Sequence, residues 1–292
     1  MTAEKKVKIR HFLILILLSS IWGTSFILIK KGLLAYSPLQ VASLRIAIAG
    51  VGFIPLVITY LSKLSRKDML MYFQVGLTGN AIPVFFFALA QTQVSSSVAG
   101  IVNSIAPIFT MLIGFFFFQI KVSKAQILGI AVGFIGVLLL ILLGEDQRAS
   151  SNHWYAGFII IATFSYAFNM NYVKKHFQHV NSIKLTAISF FLCTVPLIGY
   201  ILLSEIPTII QTEEGLIAFG YLTLLSFMST MLALILFYKL IQETSAVFGS
   251  AVAYLMPIVA LIWGFVDGEY LGIYHFLSLL LILVGVYLIK KM

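Results

Sequence analysis

Ten apolar stretches of about twenty residues follow one another through this chain, with charge confined almost wholly to the gaps between them. They run Phe12 to Lys30, Gln40 to Leu61, Leu70 to Ala90, Ser96 to Phe118, Lys124 to Leu143, Tyr155 to Val173, Leu185 to Ser204, Gly215 to Tyr238, Ser245 to Val266 and Gly272 to Ile289. Each is long enough for a helix across about 30 Å of hydrocarbon, whereas a barrel strand needs only about 9–11 alternating residues. Backbone groups in lipid have no water to bond, so helices, which satisfy their own N–H and C=O groups, are the expected fold. The composition agrees: 61% of residues are hydrophobic and 10% charged, against about 45–50% and about 25% in soluble domains. Ten crossings use up most of the 292 residues, which leaves no room for a soluble catalytic or nucleic-acid-binding module. The expectation is an all-α polytopic membrane protein of ten transmembrane helices.

The net charge of +9 has no basic cluster of nucleic-acid size behind it. Orientation explains it better. Lys5, Lys6, Lys8 and Arg10 precede the first span, which is too long for a signal-peptide core, lacks a small-residue cleavage site, and reads as a retained span. With the start of the chain inside, fifteen Lys and Arg residues fall in inner loops and tails, against Lys30, Lys31 and Arg148 outside. That bias places both termini in the cytoplasm, with the protein in the cytoplasmic membrane. Acids fall the other way, at Glu145, Asp146, Glu205, Glu213, Glu214, Asp267 and Glu269. The single cysteine, Cys193, permits no intramolecular disulfide, and a cysteine-ligated metal is not expected.

The two halves of the chain resemble each other. Ser97 to Gly114, with Asn103 and Ala106-Pro107, matches Val247 to Gly264, with Ala253 and Met256-Pro257. Trp22 to Lys31 matches Tyr166 to Lys175, which sets Lys30-Lys31 against Lys174-Lys175. Residues 1–150 and 151–292 each hold five spans, and an odd number means that the halves enter the membrane in opposite directions. Two inverted five-helix repeats rocking about a midplane site are the architecture of a secondary transporter.

Trp22-Gly23-Thr24-Ser25-Phe26, Leu44-Arg45, Ala106-Pro107, Gly129 and Gly136, with the pattern returning at Pro257 and Gly268-Glu269, resemble the EamA family of the drug/metabolite transporter superfamily. The resemblance covers nearly the whole chain as two EamA units. It implies a carrier whose cargo lies among amino acids, nucleobase-type metabolites, sugars and amphipathic drugs. One departure stands out: the family often ends its fourth span in Gly-Glu, where this chain reads Gln119-Ile120.

Polar groups within spans are costly and usually face the bundle interior. Arg45 is the one full charge well inside a span. It sits about 8 Å from the outer end at about 1.5 Å per residue, so both a structural role and contact with an anionic substrate are open to it. Ser96, Asn103 and Thr110 share a face of the fourth span beside Pro107, and Ser250, Tyr254 and Pro257 answer them on the ninth. Asn80, Trp22 and Ser25, with Tyr166 and Asn169, fall near mid-membrane, and the repeat pairs Trp22 with Tyr166. The candidate substrate residues are therefore Trp22, Ser25, Arg45, Asn80, Asn103, Tyr166, Asn169 and Tyr254. Interhelical bonding and ordinary packing are the competing explanations for each. The fifth and tenth spans, with Ala125, Gly129 and Gly133 in small-xxx-small rhythm, read as scaffold.

No Asp or Glu occupies mid-span, no phosphate-binding glycine loop occurs, and His176 and His179 lack a third metal ligand. No cofactor or metal is expected. The leading function is a secondary carrier, an exporter or exchanger of a small organic metabolite such as an amino acid. The alternatives are a polytopic membrane enzyme, which lacks a His, Asp or Glu cluster at a membrane face, and a non-transporting scaffold, for which the loops are short. Small solute and lipid are the expected partners, with no nucleic acid; oligomeric state is not legible.

Overall fold

In this computed structural model, which describes residues 3–61, 64–119, 124–143 and 152–290, the regular structure is helical throughout. In chain order the rods are α1 (Ala3–Gly32), α2 (Pro38–Gly52 and Ile54–Leu61), α3 (Arg66–Ala90), α4 (Ser96–Phe118), α5 (Lys124–Leu143), α6 (Ala156–His176), α7 (Ser182–Leu203), α8 (Glu213–Glu243), α9 (Ala246–Val266) and α10 (Ile273–Lys290). Among the described residues seven helices are long and apolar enough to cross a bilayer: α1, α3, α4, α6, α7, α8 and α9. The bent α2 makes an eighth if its two arms count as one. The described apolar stretches of α5 and α10, Ile127–Gly136 and Ile273–Gly285, are shorter. Lys63, Lys121, Ile120, Glu145, Asp146, Arg148, Lys291 and the boundary between the halves lie outside the described residues, as do the side chains of Lys5, Lys6, Lys8, Ala125, His153 and Lys290.

Short polar gaps start the helices. Ser37 accepts from the Gln40 N–H while Gln40 returns a bond to the Ser37 N–H, a reciprocal capping box at α2. Ser95, Asn181, Thr212 and Ser245 cap α4, α7, α8 and α9 in the simpler way. Each such cap satisfies a donor that lipid cannot, and contributes about 1 kcal/mol even in water.

The second span departs from the straight rod its hydropathy suggests. Its arms meet at 65°, where Phe53 N–H turns back to Gly50 O and Pro55 has no N–H to offer. Four other spans deviate near their middles. α3 and α8 each contain a π-helical turn, Leu77–Ala81 and Ser226–Leu232, and the first runs into Pro83. α4 breaks between Asn103 and Ala106, just before Pro107, and α9 breaks at Ala251.

Close backbone approach holds the rods together. A Cβ on Gly285 would come within 2.5 Å of Gly129 O and 2.6 Å of Gly133 N, so α10 lies on α5 nearly backbone to backbone. A Cβ on Gly23 would stand 2.5 Å from the Val259 Cβ, so the glycine after Trp22 lets α1 press on α9. Among the described residues none of α5, α7 or α10 lines the cavity at the centre of the bundle.

Candidate functional site

Around the irregular middles of α3, α4, α8 and α9 lies a cavity of about 80 Å³. That is room for two or three waters at about 30 Å³ each, far below the roughly 300–1,000 Å³ of small-molecule sites. Seven of the eight candidate residues line it: Trp22, Ser25, Arg45, Asn80, Asn103, Tyr166 and Asn169.

Helices α1 and α6 attach to the two π turns in the same manner. From α1, Trp22 Nε1 donates to Ser229 O at 2.8 Å and Ser25 Oγ donates to Ser229 Oγ at 2.6 Å. From α6, Ser165 Oγ donates to Thr78 O at 2.8 Å, and Asn169 Nδ2 donates to Val75 O at 3.0 Å and Thr78 Oγ1 at 3.2 Å. A π turn shifts the backbone ladder by one residue, and side chains of the facing helix meet the groups it displaces. Aromatic rings complete the wall: Trp22 meets Phe237 edge-on at 4.8 Å, and Tyr166 lies 6.1 Å from Phe87.

Arg45 is 6% exposed, and its Nε donates to Thr230 Oγ1 at 2.9 Å. Among the described residues no carboxylate pairs with it. Asn80 is buried, and its Nδ2 faces the Tyr238 hydroxyl without a well-formed hydrogen bond. Asn103 Oδ1 accepts from Thr163 Oγ1 at 3.3 Å, while its Nδ2 finds only the Met256 sulfur at 3.6 Å.

Tyr254 does not line the cavity. Gly249, Ala253 and Met256 form the inward face of α9, and the next residue after Ala253 is turned about 100° around the helix. The repeat itself pairs Asn103 with Ala253, so the polar neighbour, Tyr254, stands on the wrong face. The stripe Ser96, Asn103, Thr110 is divided too. Asn103 alone reaches the cavity, while Thr110 Oγ1 donates to Ala106 O and Ser96 belongs to one end of the bundle.

At that end a charged cluster ties three helices together. Lys30 Nζ donates to Glu269 Oε1 at 2.8 Å and also meets Asp267, which pairs with Lys31. Glu269 accepts from Ser96 N at 3.0 Å, Ser97 N at 3.1 Å and Ser97 Oγ at 2.7 Å, so its carboxylate caps the start of α4. Burial pushes the Glu269 carboxyl up, but Lys30, Ser97 and Ser96 outweigh it and hold it below its ordinary value. Asp267 is held low in the same way, its burial outweighed by Lys30 and Lys31. Carboxylates with depressed folded-state values stabilise fully above the ordinary carboxylate range, about pH 4, and lose that stabilisation as pH falls through those values. The cluster is therefore expected to stay intact from pH 5 to 8, about the span a cell offers. Melting in detergent should show wild type losing stability relative to Glu269→Gln only below about pH 4.

The opposite end carries no equivalent acid on α4. Lys174, the repeat partner of Lys30, donates to the carbonyls of Gln242 and Thr244 at 2.9 and 2.8 Å at the end of α8. Where the second half has Gly268 with φ +76°, the first has Gln119 with φ +58°, a left-handed position without the glycine that suits it. Nearby Arg10 donates to Glu243 at 2.6 Å, and His11 Nε2 lies 2.8 Å from the same carboxylate. Among the described residues no three His, Cys, Asp or Glu side chains gather as a metal would require.

Ser229, Thr230, Phe87 and Phe237 escaped the sequence reading. A signal for two of them was present, since the register that sets Ser97 on Val247 also sets Gly79-Asn80 on Ser229-Thr230. Nothing in the sequence marks a π turn in α8, where no proline accompanies it.

The profile of the EamA-like transporter family matches residues 10–142 and 153–290. An uncharacterized transporter of Archaeoglobus fulgidus is 26% identical over 284 residues, covering 97% of this chain and 99% of that one. The uncharacterized inner membrane transporter YedA of Escherichia coli K12 is 28% identical over 272 residues, 92% of this chain and 87% of its own. A probable amino-acid metabolite efflux pump of the same organism is 26% identical over 279 residues, 92% and 90% of the two chains.

Proposed function

The chain belongs to the EamA-like transporter family, and from that premise we propose that it is a secondary carrier of a small organic metabolite such as an amino acid, working by alternating access. Ten crossings in two inverted five-helix units, residues 1–150 and 151–292, with both termini in the cytoplasm, are the arrangement this reading assumes. The observation that carries it is the reciprocal docking of α1 on the π turn of α8 and of α6 on the π turn of α3. Each half lends its first helix to the third helix of the other. Two like joints on either side of one cavity supply the two equivalent rearrangements that alternating access needs.

In this reading the cavity residues Trp22, Ser25, Arg45, Asn80, Asn103, Tyr166 and Asn169 touch the solute, and Tyr254 does not. At about 80 Å³ the site is contracted, and loading widens it. The Lys30, Lys31, Asp267 and Glu269 cluster closes the outer end, and Lys174 on the carbonyls of α8 closes the inner end less firmly, because carbonyl dipoles replace a full charge. The amino-acid metabolite efflux pump among the relatives puts amino-acid-sized solutes first in the search.

Counterflow in proteoliposomes tests the function. Vesicles loaded with an unlabelled amino acid, nucleobase or sugar should take up its labelled form with saturation for one class. Absence of exchange across the panel, in protein shown to be folded and inserted, would return the enzyme and scaffold readings to the front.

A further inference from the structure

Charge at the cavity narrows the cargo beyond metabolites in general, granted the carrier reading above. The Arg45 guanidinium is buried at the wall and is bonded only to the neutral hydroxyl of Thr230. Among the described residues no Asp or Glu lines the cavity. Among the described residues the ion-paired carboxylates stand at helix ends, Glu243 with Arg10, and Asp267 and Glu269 with Lys30 and Lys31. A cation taken out of water without an opposite charge is costly. The wall therefore carries a positive charge with no carboxylate against it. On the same cavity wall, the buried Asn80 Nδ2 makes no well-formed hydrogen bond and faces only the neutral Tyr238 hydroxyl. Both groups donate, and a carboxylate is the acceptor that suits each better than a neutral hydroxyl. The remaining wall mixes apolar faces, Phe26, Phe87 and Phe237 among them, with neutral hydroxyls and amides.

Solutes of one size but different charge fare differently here. A monoanion brings the loaded site to neutrality. A zwitterion leaves the positive charge of the site in place, and its ammonium finds only neutral oxygens, such as those of Asn103, Asn169 and Ser250, near a guanidinium that repels it. A cation adds a second positive charge. We propose that the cavity selects monocarboxylate anions with an apolar body, so that 2-hydroxy, 2-oxo and N-acylated acids are better cargo than amino acids with a free α-amino group. Arg45 takes the carboxylate and Asn80 supplies the second donor. A carried monoanion also moves charge, so a cytoplasm-negative potential drives it outward and makes the carrier an exporter.

The test uses the full chain in proteoliposomes and three probes that share an isobutyl group: 2-hydroxyisocaproate, leucine and leucinamide. The hydroxy acid should exchange about tenfold or more faster than leucine, leucinamide should not exchange, and Arg45→Gln should erase the preference. Asn80→Leu, a milder change, should lower hydroxy-acid exchange about tenfold and keeps the test valid if Arg45→Gln fails to insert. Leucine matching or beating the hydroxy acid, or Arg45→Gln keeping the wild-type rate, overturns the selectivity and leaves the carrier standing. No exchange of these probes or of the wider panel, in inserted protein, removes the carrier reading and the selectivity with it.

Discussion

Arg45→Met is expected to make the protein more stable and nearly inactive at once. The guanidinium is buried with one neutral partner, and exchanging buried charge for an apolar side chain of similar volume commonly stabilises by about 1–4 kcal/mol. Thr230 Oγ1, the acceptor left behind, keeps its hydroxyl free to turn toward another carbonyl, so the loss there is small. Transport suffers the opposite effect. Removing one side of a buried, hydrogen-bonded charge pair costs about 2–5 kcal/mol, or roughly 30-fold to a few thousand-fold in apparent affinity or rate. Thermal unfolding in detergent, read beside counterflow, separates the two roles that the sequence leaves open for this residue. A variant that transports poorly and also melts earlier would make Arg45 a structural strut.

Glu269→Ala is expected to open the end of the bundle that Lys30 and Glu269 share. The Glu269 side chain is 6% exposed and receives bonds from Lys30, Ser96 and Ser97. Its removal orphans the first amides of α4 and half of the partnership of Lys30. Breaking such a pair costs about 3–5 kcal/mol when fully buried, and the lower end applies because Lys30 reaches solvent and keeps Asp267. The chain offers a clean reporter, since Cys193 is its only cysteine. With Cys193→Ala as background and Ala106→Cys in the cavity wall, an impermeant thiol reagent added outside should label at least about tenfold faster in Glu269→Ala. Glu205→Ala, at an exposed acid outside the cluster, should leave labelling unchanged. Equal labelling in all three proteins would show that the cluster does not gate the cavity.

Both predictions concern residues the sequence marks as unusual without saying what they do. Arg45 stands out as a charge within a span, and Glu269 as the acid half of a Gly-Glu pair that the first half lacks. Their partners come from distant parts of the chain, Thr230 for Arg45 and Ser96, Ser97 and Lys30 for Glu269. Local periodicity carries no information about such pairs. Tyr254 illustrates the same limit on a smaller scale. A polar ring beside a proline is a reasonable lining residue until the break at Ala251 sets which face of α9 turns inward.

What the sequence determined by itself is what the solvent enforces. Lipid admits helices of bilayer length and penalises charge within them, so apolar runs, their polar caps, the family membership and the polar cavity residues from Trp22 to Asn169 named above are legible as strings. The small residues of α5 announce close approach of some helix, but that the partner is α10 comes from the tertiary structure. The tertiary structure alone decided the 65° bend of α2, the π turns of α3 and α8, the exclusion of Tyr254 from the cavity and the pairing of Arg45 with Thr230. Each depends on how one helix meets another through a few hydrogen bonds. Such bonds select among backbone arrangements that differ by about a kcal/mol each, a margin that hydropathy cannot resolve.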